Sequence, residues 1–199
     1  MWRQTVRART FETGSLAGLA GKRSGVRITG ETVHTYDLHV IAADVDGIVT
    51  AAGGWLCDRA RAGWQVTVTV PPDRDVRALT ILGLDVDTHE PALHALPGTA
   101  AVAVDARVLR DDERLRERVL SLVDAARAEV TVWGDPSPVG PDGRFDRVVH
   151  RLSAAARAFK ARALQTTGQV APDLAVETFV SAALWYPPDG ADLMPLPER

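Results

Sequence analysis

From Asp37 onward, apolar positions alternate between two periods. LHVIAADV, beginning at Leu38, is short, β-branched and apolar throughout, the pattern of a strand covered on both faces. IVTAAGGWLCDRARAG follows, with Ile48, Ala51, Ala52, Trp55 and Leu56 at helical spacing, Asp46 and Gly47 ahead of it and Gly63 at its end. WQVTVTV then puts Trp64, Val66, Val68 and Val70 on one face, and Pro71-Pro72 stops it. These three segments read as a βαβ unit.

The alternation continues. RALTILGLDV reads as a strand, THEPALHAL as a short helix capped by Thr88, and TAAVAVDARV as a strand. DDERLRERVLSLVDAARAE is a helix with Leu115, Val119, Leu122, Val123 and Ala126 in one stripe, and EVTVW is a strand. After the loop GDPSPVGPDG, residues 144–165 predict one long helix that buries Phe145, Val148, Val149, Leu152, Ala156, Phe159 and Ala163. Strands separated by helices predict an α/β three-layer sandwich with about five mostly parallel strands, doubly wound in the Rossmann-like or flavodoxin-like manner. Residues 37–167 form that domain. Residues 1–36, broken by five glycines, read as an irregular arm or edge hairpin. Residues 168–199 read as an extension with one further strand at ETFVSAALW and a Pro-rich tail.

Composition narrows the class. A chain of 199 residues, 46% apolar, holds one ordinary core without a staple. The single cysteine, Cys57, removes intramolecular disulfides and Cys-rich zinc frameworks, and reads as a buried inert thiol. No apolar run approaches the ~18 residues of a membrane span, and no secretory leader is visible, so the expected location is cytoplasmic. Net charge is −3. Arg147, Arg151, Arg157, Lys160 and Arg162 would nonetheless give the last helix a basic, anion-binding face. No aromatic residue is interleaved there, so a solvated face is expected rather than nucleic-acid binding. His34 with His39, and His89 with His94, are spaced five apart, which suits no shared metal.

Ligands of open α/β sheets bind beyond the carboxyl ends of the strands. In VIAADVDG, Asp44 and Asp46 stand at such an end, a spacing that can hold Mg²⁺ while one carboxylate attacks a phosphoryl group. The stretch resembles the first motif of the haloacid dehalogenase superfamily, an apolar strand running into DxDG. The resemblance implies Asp44 as nucleophile and Asp46 as general acid/base. TVWGDPSPVGPD is similar to the family's late acidic motif, which implies Asp135 and Asp142 as further metal ligands. The family's basic residue between these motifs, usually lysine, has no counterpart: the only lysines, Lys22 and Lys160, lie outside that interval. The usual Thr after DxDG is Ile48. No GxGxxG, Walker-type loop or GxSxG elbow is present.

With no complete catalytic set visible, the expected function is a non-catalytic regulatory or ligand- or protein-binding module without a cofactor. Its partner would be a protein, a small molecule or a second copy of the chain, with no membrane involved. The alternative is a Mg²⁺-dependent phosphohydrolase with Asp44 as nucleophile.

Overall fold

The computed structural model describes residues 26–29, 32–89, 100–140, 143–169, 175–182 and 192–196. The expected helix at THEPALHAL lies almost wholly outside them, as does Asp142.

Two short strands, β1 (Val26–Thr29) and β2 (Thr32–Thr35), pair antiparallel as a sheet of their own. The body is a mixed α/β fold around one eight-stranded sheet. Its first strand is β3 (Asp37–Ile41), followed by helix α1 (Val45–Arg61) and β4 (Gln65–Thr69). Asp44, not Asp46, caps α1: its side chain accepts from Gly47 N at 2.5 Å. RALTILGLDV is not one strand but helix α2 (Arg77–Ile81) and the short β5 (Asp85–Asp87). Ala78, Leu79 and Leu82 are buried at helical spacing, and Gly83, with φ +78°, takes the left-handed turn that separates the two.

The fully buried β6 (Ala101–Asp105) runs into α3 (Ala106–Asp111), which its last residue caps, since Asp105 accepts from Arg107 N at 2.9 Å. Helix α4 (Glu113–Asp124) is capped by Asp112 and leads to β7 (Glu129–Trp133). Ala126, expected on its apolar stripe, lies past its end at φ 48°. Strand β8 (Asp146–Arg151) and helix α5 (Ala154–Thr166) replace the single long helix expected at 144–165. Val148 and His150 are buried where Arg147 and Arg151 are exposed, a period of two, and Ser153 caps α5 by accepting from Ala156 N at 3.0 Å. Strands β9 (Val176–Ala182) and β10 (Met194–Pro195) complete the sheet.

The strand order is β10-β8-β9-β7-β6-β3-β4-β5. The expectation of about five strands is corrected to eight: β5, β4, β3, β6 and β7 run parallel, and β9, β8 and β10 add antiparallel pairings beside β7. C-terminal residues therefore sit inside the sheet, with β9 between β7 and β8. Two apolar clusters cover its faces. Leu38, Val40, Val66, Val68, Ala101 and Ala103 pack with α1, α2 and α5, whereas Ile41, Val102, Val104, Val130 and Val132 pack with α3 and α4. Among the described residues no helix is long and apolar enough to cross a membrane.

Candidate functional site

The chain winds outward from β3 in two directions, through β4 and β5 on one side and through β6 and β7 on the other. Between β3 and β6 the strand order reverses, and the carboxyl ends there open the crevice where such sheets take ligands. β3 delivers Asp44 and Asp46 to it, and β6 delivers Asp105 and Arg107.

Arg107 joins both sides. Its Nη1 donates to Asp44 Oδ2 at 2.7 Å, its Nη2 to Asp105 Oδ2 at 2.7 Å and its Nε to Asp105 Oδ1 at 3.1 Å. Asp105 is buried, while Asp44 and Arg107 are partly open to solvent. Burial would raise the Asp44 carboxyl, but the Gly47 amide and the Arg107 guanidinium outweigh it and hold the group below the usual carboxylate range. The same two carboxylates drive the Arg107 pKa upward, the Asp105 hydrogen bonds most of all.

Beside this bridge lies a cleft of about 170 Å³, lined by Asp44, Asp46, Arg74, Asp75, Thr166 and Thr167 among others. The turn after β4, with Asp73 left-handed at φ 61°, presents Arg74. Most polar groups in the cleft are engaged. Asp75 holds Arg77 through Nη2 at 2.6 Å, Thr166 donates to Ala163 O at 2.7 Å, and Thr167 donates to Leu164 O at 2.9 Å. The exposed Asp46 carboxylate and Arg74 guanidinium make no hydrogen bond or salt bridge to any described residue, although Arg74 contributes to the field on Asp44.

Of the expected acidic quartet, Asp142 lies outside the described residues. Asp135 is turned into its own loop, accepting from Ser137 N at 3.0 Å and Ser137 Oγ at 2.9 Å, and these bonds lower its pKa. Among the described residues no group of three or more His, Cys, Asp or Glu side chains is placed to hold a metal ion. The oxygens of Asp44 are given to Gly47 and Arg107. Asp44 thus serves as helix cap and ion-pair partner at once.

The expected basic face is divided. Arg147 and Arg151 stand on β8, Arg157 and Arg162 on α5, and Lys160 is buried, with its Nζ 2.5 Å from Glu177 Oε1. Phe159, expected in the core, is 40% exposed. The residues that sequence patterning passed over are Arg74, Asp105 and Arg107. The signal for Asp105 was present: it ends a strand, as Asp44 follows one.

Neither a family model nor a curated protein matches the chain. Solved structures do. A deacetylase–teicoplanin complex aligns over 73% of this chain and 97% of its own, at 15% identity and a TM-score of 0.49. The zinc-inhibited form of teicoplanin deacetylase aligns over 65% of this chain and 82% of its own, at 16% identity and a TM-score of 0.45. A pseudoaglycone deacetylase aligns over 65% and 80%, at 16% and 0.45. All are named deacetylases, an activity that is neither the non-catalytic binding module nor the phosphohydrolase expected from the sequence. At such identities the likeness is one of fold alone.

Proposed function

We propose that the chain is a hydrolase that cleaves an acyl bond, amide or ester, of a small polar substrate in the cleft beyond the ends of β3 and β4. One observation carries this reading: Asp46 and Arg74 are the charged pair of that cleft left without a hydrogen bond or salt bridge among the described residues. The cleft lies beyond the carboxyl ends of two parallel strands, the side on which open α/β sheets take ligands.

Acyl hydrolysis needs a base for the attacking water and positive charge for the oxyanion. In this reading Asp46 takes a proton from water as the oxygen adds to the carbonyl carbon. Arg74 faces the negative charge that develops on the carbonyl oxygen. When the tetrahedral intermediate collapses, the bond to the leaving nitrogen or oxygen breaks, and Asp46 returns the proton to the leaving group. No cofactor takes part, and the partner is the small-molecule substrate.

Acetate release from N-acetylated amino sugars, N-acetyl amino acids and O-acetyl esters, followed by proton NMR, tests the proposal. Acetyl groups come first because the structurally similar proteins are deacetylases. One substrate class is expected to turn over, with Asp46→Asn slower by about 10²- to 10⁴-fold at an unchanged unfolding midpoint. A silent panel, or an Asp46→Asn variant as fast as the parent, overturns it.

A further inference from the structure

The strand-end site has its cation built in: we infer that the Arg107 guanidinium serves as the fixed counter-charge of Asp44 and Asp105, in place of a divalent metal ion. The inference takes the site's location from the proposed function, but its readout is cation binding rather than turnover.

One carboxylate follows β3 and the other ends β6, and both face one group. Each lies 2.7 Å from a different Nη atom of Arg107, so a single planar cation spans the crevice between β3 and β6. Asp105 is a buried carboxylate whose side-chain bonds, among the described residues, go to Arg107, through the backbone amide and the guanidinium. The backbone leaves room for this arrangement. A Cβ built on Gly47 would collide with Arg107 Nη2 and lie 2.9 Å from Asp44 Oδ1, so the guanidinium occupies the space a side chain would fill. Deleting the guanidinium leaves two carboxylates, Asp44 and Asp105, without the cation they share. Oxygen donors of this kind suit a hard divalent cation.

The test is thermal unfolding of the wild type and of Arg107→Gln, in chelator and in millimolar Mg²⁺ or Mn²⁺. The wild type is expected to ignore the cation. Arg107→Gln is expected to unfold earlier in chelator and to regain about 3 °C or more, saturably, once the cation exceeds its dissociation constant about tenfold. Adding Asp105→Asn to that variant is expected to abolish the gain. A wild type that responds as strongly as the variant, or a variant that does not respond, overturns the inference. If Arg107→Gln does not fold in either condition, Arg107→Lys decides. A folded, cation-indifferent lysine variant upholds the role of charge, and a lysine variant that fails to fold or needs the cation overturns it.

Discussion

Lys160 shows how one residue's setting reverses its meaning. On a helical wheel it belongs with Arg157 and Arg162 on a solvated face. In the fold it is buried and donates to Glu177 Oε1 at 2.5 Å and to Thr50 O at 2.6 Å. Glu177 in turn accepts from Gly54 N at 2.9 Å and Trp55 N at 2.8 Å, in the middle of α1. Thr50 O lies four residues before the Gly54 amide, so the ion pair engages the donor and the acceptor of one helix turn. Both charges have partners, and removing either leaves the other buried and uncompensated. Glu177→Gln is therefore expected to cost about 3–5 kcal/mol in urea unfolding, while Lys160→Met combined with Glu177→Leu costs less than the sum of the single changes. Full additivity would contradict a coupled pair. No local pattern announces this pair, because Glu177 lies on β9, and its partners come from α1 and α5. Arg107 was illegible for the same reason, since its bond to Asp44 spans 63 positions of chain.

Elements were legible wherever the period was unambiguous. The run from β3 through α1 to β4 carries buried-strand, helical and alternating patterns in turn, each closed by its own cap or breaker. Residues 144–165 failed because Val148 and Val149 are adjacent apolar residues that fit either period, and the helix after Ser153 extended the stripe backward. In α1, one of the paired glycines marks a close approach. Gly54 meets that description: an added Cβ would overlap Leu152 Cδ2 and lie 2.5 Å from its Cγ, and 3.1 Å from Glu177 Oε1. A mid-helix alanine would ordinarily gain about 1 kcal/mol over glycine. Here overpacking is expected to outweigh that gain, so Gly54→Ala lowers stability by about 1–3 kcal/mol in denaturant unfolding. A stabilised variant would show that Leu152 moves aside freely.

At the scale of the molecule, the segment at 192–196 closes the sheet through a charged network that composition does not reveal. Asp192 pairs with Arg59, which also holds Glu129 at 2.7 Å and lies between the rings of Trp55 and Trp64, 4.6 and 4.3 Å from their centres. His150 bridges Asp58 Oδ2 at 3.0 Å and Asp192 O at 2.6 Å. Burial alone would lower the His150 pKa, but its bonds to Asp192 and Asp58 outweigh that and push it up to about 9. Burial would raise Asp192, yet His150 and Arg59 hold it down to about 2. The raised histidine stabilises the fold fully below its unfolded value near 6.5, and that contribution is lost as pH climbs through 9. The depressed aspartate contributes above about 3.8 and loses its effect as pH falls through 2. Stability is therefore expected to form a plateau from about pH 4 to 6.5 and to decline by about 2–3 kcal/mol toward pH 9. Urea unfolding at successive pH values checks this, and His150→Phe should remove the alkaline slope. An equal slope in that variant would place its origin elsewhere.

The most direct test of the whole account is acetate release by the wild type and by Asp46→Asn after exhaustive dialysis against a chelator. Wild-type turnover is expected to survive chelation and to fall by about 10²- to 10⁴-fold in the variant. Turnover that disappears with the chelator, or persists in Asp46→Asn, would contradict a site that works through Asp46 with Arg107 as its own cation.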